Sequence, residues 1–246
     1  MMMYLKYVHR VADMLVDAAH KQTSQADIAA EWIVKSVRRG GVVHVFGCGH
    51  SHMLAEELFY RAGGLACIQP IFLEDVMLHK GAVRSSTFER QNGYIASLED
   101  QLDIRPEDVL IVVSTSGINP VPIDILLRGR KAGVKTIAIT SLEYARRAQT
   151  RHEEGTTLRD AADLVIDNSA PYGDALLSDK KAPAPFGPAS TLLSAALLNG
   201  IMASVIAKMI ERGFEPPIFL SGNVPDADEH NRMLVEQYKE RIPLLR

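Results

Sequence analysis

Cysteine is scarce in this 246-residue chain, with only Cys48 and Cys67, which argues against a disulfide framework and fits a reducing compartment. An excess of charge of one sign is also missing. Lys and Arg number 27 against 30 Asp and Glu, so the net charge of −3 supplies no basic footprint for nucleic acid. The first residues, Met1-Met2-Met3-Tyr4-Leu5-Lys6, lack the apolar core and small-residue cleavage site of a signal peptide. No uninterrupted apolar run reaches the length of a membrane span. The longest apolar-rich stretch, 191–210, contains Ser194, Asn199, Ser204 and Lys208, so it is expected to be a buried helix. These absences together lead to the expectation of a cytoplasmic protein with no membrane and no nucleic-acid partner. What is present is an ordinary folding composition, 47% apolar and 23% charged, with enough chain for a sizeable core.

Apolar residues recur at helical spacing through 4–39, at Leu5, Val8, Val11 and Leu15 and again at Ile28, Trp32, Ile33 and Val37. Gly40-Gly41 ends that region. Short apolar runs then alternate with helical patterns. Strands are expected at 42–46, 66–73, 109–113, 134–140 and 164–166, and Pro120 stands where a first helical turn tolerates it. Continuous β-branched runs separated by helices predict α/β architecture: a three-layer α-β-α sandwich around a five-stranded parallel doubly wound sheet. Too few such units occur for a β/α barrel. Residues 168–188, with Pro171, Gly173, Pro183, Pro185, Gly187 and Pro188, form a long connection of the kind that is often functional. The tail from Asp226 to Tyr238 reads as helical. One domain over 1–246 is expected, with a helical arm at about 1–40 and a C-terminal extension at about 213–246.

In open parallel sheets ligands bind beyond the carboxyl ends of the strands. Three sequence loops fall there and share one chemistry. Gly47-Cys48-Gly49-His50-Ser51 offers close backbone approach and a hydroxyl, and Ser114-Thr115-Ser116-Gly117 offers three hydroxyls in a row. Gly187-Pro188-Ala189-Ser190-Thr191 adds two more before the long apolar helix. Amides and hydroxyls at helix starts suit an anion such as phosphate. Each hydroxyl has a plainer account as an N-cap, and each glycine as a turn residue.

The loops Gly47-Cys48-Gly49-His50-Ser51 and Ser114-Thr115-Ser116-Gly117-Ile118-Asn119 resemble the two signature loops of the sugar isomerase (SIS) domain, over roughly residues 40–210. The resemblance implies that Gly49, Ser51, Ser114, Thr115, Ser116 and Asn119 contact a sugar phosphate, with Ser190 and Thr191 similar to a hydroxyl pair seen before a late helix in arabinose-5-phosphate isomerases. The N-terminal helix and the 221–230 tail are most similar to a SIS branch of unknown function. The implied activity is aldose–ketose isomerisation of a sugar phosphate, or a related lyase reaction, without a cofactor. A non-catalytic sugar-phosphate sensor is the alternative. SIS domains generally pair, which implies a homodimer or homotetramer.

An isomerase needs a base beside the sugar carbonyl and a group that opens the ring. Glu74, after the second strand, is the expected base, with His79 nearby, and His230 is the expected ring opener by analogy. Glu74 has the plainer reading of a solvated carboxylate and His230 that of a residue in an acidic helix start. His50, His52, Glu56 and Glu57 show no zinc spacing, so no metal is expected. Cys48 reads either as a nucleophile beside a helix start or as a small residue packed in a turn. A nicotinamide dehydrogenase is a third reading, since Gly47-x-Gly49 follows a strand and Glu74 ends the next. Against it, His52 stands at the third glycine position.

Overall fold

The five apolar runs pair as one all-parallel sheet in a computed structural model that describes residues 2–246, the side chains of 99–101 excepted. The strands are β1 (Val43–Gly47), β2 (Ile68–Ile71), β3 (Val109–Val113), β4 (Lys135–Thr140) and β5 (Leu164–Asp167), in the order β2-β1-β3-β4-β5. This is the arrangement expected of a doubly wound sheet. Alternate strand residues point to opposite faces, so each face builds its own core. Val43, Val45, Val109, Ile111, Val113, Ile137 and Ile139 pack on one side with α2 (Thr23–Val37), α3 (Met53–Leu58) and α8 (Ser190–Glu211). Phe46, Leu110, Val112 and Ala138 pack on the other with α5 (Pro120–Lys131) and α7 (Leu158–Ala161). The result is the three-layer sandwich.

The helix α8 is long and apolar enough to cross a membrane by length and composition. Its Leu193, Leu197, Leu198, Ile201, Val205 and Met209 are buried, and it packs chiefly along α2. It is a core helix, as its polar interruptions suggested.

Three regions differ in detail from the pattern-based reading. The N-terminal helical region breaks into α1 (Met3–Lys21) and α2 at Gln22, where Thr23 Oγ1 donates to the carbonyls of Ala19 and His20. The second strand is shorter than its apolar run. The 168–188 connection is not a free loop: Leu177 and Phe186 pair as an antiparallel bridge, and Leu176, Leu177 and Ala170 pack against Tyr7, Val11, Met14 and Leu15 of α1. The remaining helices are α4 (Ala82–Glu89), α6 (Leu142–Arg147) and α9 (Ala227–Tyr238). The C-terminal extension lies at the amino end of the sheet, where Ile218 bridges Leu65 just before β2.

Candidate functional site

Strands β1 and β3 are neighbours, paired from Val43 with Val109 to Gly47 with Val113, so the loops that leave them lie side by side. The helices that follow diverge: α3 joins the core on one face of the sheet and α5 the core on the other. Diverging connections open a crevice at this switch point, the usual ligand position in such sheets.

The first loop is shaped by close backbone approach. A Cβ on Gly47 would lie 2.4 Å from the Ser51 carbonyl oxygen, so only glycine lets the chain fold back there. The Ser51 N–H donates to Cys48 O at 2.9 Å, and buried His52 turns its Nδ1 to the carbonyl of Gly49. The Ser51 hydroxyl has no partner among the described residues and is half-buried. His52 therefore fills the position that a dinucleotide-binding turn reserves for glycine. With five strands in the order seen, that geometry sets the dehydrogenase reading aside.

In the second loop, Gly117 takes φ +63, and a Cβ there would meet Thr140 Oγ1 at 2.7 Å. The three hydroxyls have different settings. Ser114, nearly buried, accepts from the Gly117 N–H at 3.3 Å, and Thr115 accepts from the Asn168 amide at 3.2 Å. Ser116 is half-buried with its hydroxyl unpartnered among the described residues. Asn119 caps this loop in a three-membered chain: Arg151 donates to its Oδ1 at 2.9 Å, and its Nδ2 donates to Glu89 Oε1 at 2.9 Å. Because a guanidinium only donates, the amide orientation is settled. The Asn119 side chain thus binds Glu89 and Arg151 and keeps one further amide N–H.

Pattern reading did not find Glu89. It ends α4, which packs on the helical turn of the first loop and on α5, and its charge bears on the Cys48 thiol. Burial pushes its carboxyl above the ordinary range, against the downward pull of Asn119, Arg90 and Arg151. No motif marks it, and it stands 30 residues from Asn119 in the chain.

The third loop is internally satisfied. Asp174 accepts from the amides of Ala189 and Ser190 at 3.1 and 2.9 Å and from the Ser190 hydroxyl at 2.7 Å. A carboxylate of the chain itself occupies the start of α8, as helix capping favours. The Thr191 hydroxyl is left without a partner among the described residues. Tyr7 of α1 donates to Pro188 O, tying the N-terminal arm to this loop.

The expected catalysts scatter. Glu74 points to solvent in an ion pair with Lys80 at 3.1 Å. His79 does reach the first loop: its ring lies edge-on to His52 with centroids 6.2 Å apart. His230 hydrogen-bonds Ile218 O at 2.8 Å, at the amino end of the sheet, and so does not join the loops of its own chain. Cys48 is 5% exposed and burial drives its thiol well above the ordinary value, which corrects the nucleophile reading. Glu57 is engaged by Arg61 and Asn199, while His50 is exposed. No group of His, Cys, Asp and Glu that could hold a metal occurs among the described residues.

Comparison with known proteins places this geometry. The family described as the SIS domain matches residues 6–141, a span that takes in most of α1 as well as both loops. A UPF0309 protein of Geobacillus thermodenitrificans is 50% identical over 240 residues, 98% of this chain and 96% of that one. Among solved structures, a phosphoheptose isomerase from Neisseria gonorrhoeae superposes with a TM-score of 0.50 at 14% identity, covering 83% of this chain and 97% of that one. The sugar isomerase domain of an RpiR transcription factor from Sphaerobacter thermophilus gives 0.51 at 14% identity, covering 98% and 99%. At that identity the two superpositions speak for the fold.

Proposed function

The chain belongs to the SIS domain family, and on that premise we propose that it binds a sugar phosphate in the β1–β3 crevice and isomerises it between aldose and ketose, or acts on it as a lyase. The observation that carries this reading is the Ser114–Gly117 loop at the switch point, with the Ser116 hydroxyl unpartnered in it and the Ser51 hydroxyl unpartnered in the loop that leaves the neighbouring strand. Ser116, Ser51 and the loop amides would hold the phosphate, with Ser114 and Thr115 keeping the loop in shape. Gly49, at φ +56, leaves open space beside its Cα for a close approach. Thr191 is the one hydroxyl of the third loop that remains for substrate.

Both fold neighbours fit the binding half of the proposal, one being named an isomerase and the other a transcription factor. Titratable side chains at the crevice, Glu89 and His79, favour turnover over binding alone. The same reading includes a cytoplasmic homo-oligomer. Two free buried thiols suit a reducing compartment, and Leu5, Val8 and Val16 leave an apolar stripe exposed on α1.

The test is thermal unfolding against fructose 6-phosphate, arabinose 5-phosphate and glucosamine 6-phosphate, with each unphosphorylated sugar as control. A sugar phosphate at about 100 times its dissociation constant stabilises by about 2.7 kcal/mol, a clear melting shift. The shift should vanish in Ser116→Ala. A shift that survives Ser116→Ala, or one given equally by the free sugar, would sink the phosphate role of this loop.

A further inference from the structure

We propose that Glu89 is the proton carrier of the crevice: its carboxylate takes the proton from the carbon beside the open-chain sugar carbonyl, with Asn119 and Arg151 as its positioning residues. This rests on the reading that the crevice binds a sugar phosphate. The other carboxylates near the loops are otherwise placed. Glu74 is exposed beside Lys80, Asp75 is held by Arg84 and Tyr94, Glu57 by Arg61 and Asn199, and Asp174 by the start of α8. Asp75 and Asp174 have both oxygens engaged, whereas Glu74, Glu57 and Glu56 are partly or largely exposed beside Lys80, Arg61 and His52.

Among the described residues Glu89 stands in no direct ion pair, and three features suit it to the role. It hydrogen-bonds Asn119 of the second loop, and the helix it ends packs on the helical turn of the first. Only Oε1 is engaged, so Oε2 is without a partner among the described residues and free to meet a C–H bond. Its rotamer is held by a chain that cannot invert, because Arg151 requires the oxygen of Asn119 and leaves the amide N–H for Glu89. A base held in one orientation and partly desolvated is suited to general base catalysis near neutral pH.

The step balances without a co-reactant. Glu89 removes the proton from C2 of an open-chain aldose phosphate, the C–H electron pair forms the C1–C2 double bond, and O1 takes the carbonyl electron pair. The enediolate then moves the O2 proton to O1, and Glu89 returns its proton to C1 to give the ketose. No atom is oxidised overall by an outside agent.

The groups that face Glu89 are Asn119, Arg151, Arg90 and Cys48, and the two guanidinium groups and the amide all hold its carboxyl down. Removing one should therefore raise the acid limb of the rate profile. The experiment is solvent deuterium incorporation at C1 of fructose 6-phosphate and at C2 of arabinose 5-phosphate and glucosamine 6-phosphate, read by NMR beside the melting shift. Wild type should exchange, and Glu89→Gln should lose about 100-fold or more in exchange rate while keeping its melting shift. Arg151→Gln should keep exchange with its acid limb moved to higher pH, which a merely structural residue would not do. Retained exchange in Glu89→Gln overturns the assignment and leaves the phosphate site standing, as does wild-type binding without exchange. Absence of any melting shift in wild type removes the crevice reading itself, and this proposal with it.

Discussion

Replacing Asp108 by alanine should cost this protein more stability than any change at the crevice. Asp108 lies just before β3 with its side chain fully buried, and it accepts from four groups. The amides of Val42 and Arg105 donate at 2.9 and 2.8 Å, His44 Nε2 at 3.0 Å, and Arg241 Nη2 at 2.8 and 3.0 Å to the two oxygens. It thereby ties the starts of β1 and β3 to the C-terminal extension. Alanine leaves the buried His44 imidazole without its acceptor and the half-buried Arg241 guanidinium with only Glu107 and Asp103, at 3.5 and 3.9 Å. Breaking a buried charge pair from one side costs about 3–5 kcal/mol. For a chain of this size each kcal/mol is about 2–4 °C, so melting should fall by about 6–20 °C. Urea unfolding at fixed protein concentration is the assay. A loss below about 1 kcal/mol would refute the reasoning, since it would mean that water replaces Asp108 at all four donors. The pH dependence has a definite sign. Burial alone would raise this carboxyl, but His44 and the two amides bring it below its ordinary value. Its contribution is therefore present above the unfolded carboxyl's titration at about 3.9 and is lost as pH falls through the lower folded value. The gap between wild type and Asp108→Ala should close on acidification below about pH 4.

Two further outcomes follow from burial and exposure. Cys67 is pushed up to about 12 and Cys48 well above its usual value, so both thiols should resist Ellman's reagent at pH 7.5 until the chain unfolds; a fast-reacting thiol in the folded protein would contradict the packing of the first loop. Light scattering at micromolar concentration should give at least twice the mass of one chain, and the pair Leu5→Glu with Val8→Glu should reduce that mass by exposing charge on the α1 stripe. A wild-type monomer would remove that interface.

The sheet was legible because its strands are buried on both faces. Runs such as Val109-Leu110-Ile111-Val112-Val113 have no polar face to confuse the period, and the hydroxyl loops follow them directly in the chain. The positions of Ser51 and Ser116 at neighbouring strand ends follow from that local grammar of strand, turn and helix. The partners of each hydroxyl do not, because they come from distant segments: Asn168 reaches Thr115, and Asp174 takes Ser190 and the start of α8. The 168–188 segment likewise reads as a loop, since its prolines and glycines suit one, and only the apolar face of α1 makes it a packed lobe. Glu89 shows the same limit. A glutamate at the end of a polar helix carries no signal of its own, and Asn119, Arg151 and burial between two loops distinguish it from the exposed Glu74. Period and turn chemistry, which are local, determined the sheet and the loops. Desolvation and side-chain pairing act through space, so only the tertiary structure decided which hydroxyls are left unpartnered and that Glu89 is half-buried against Asn119.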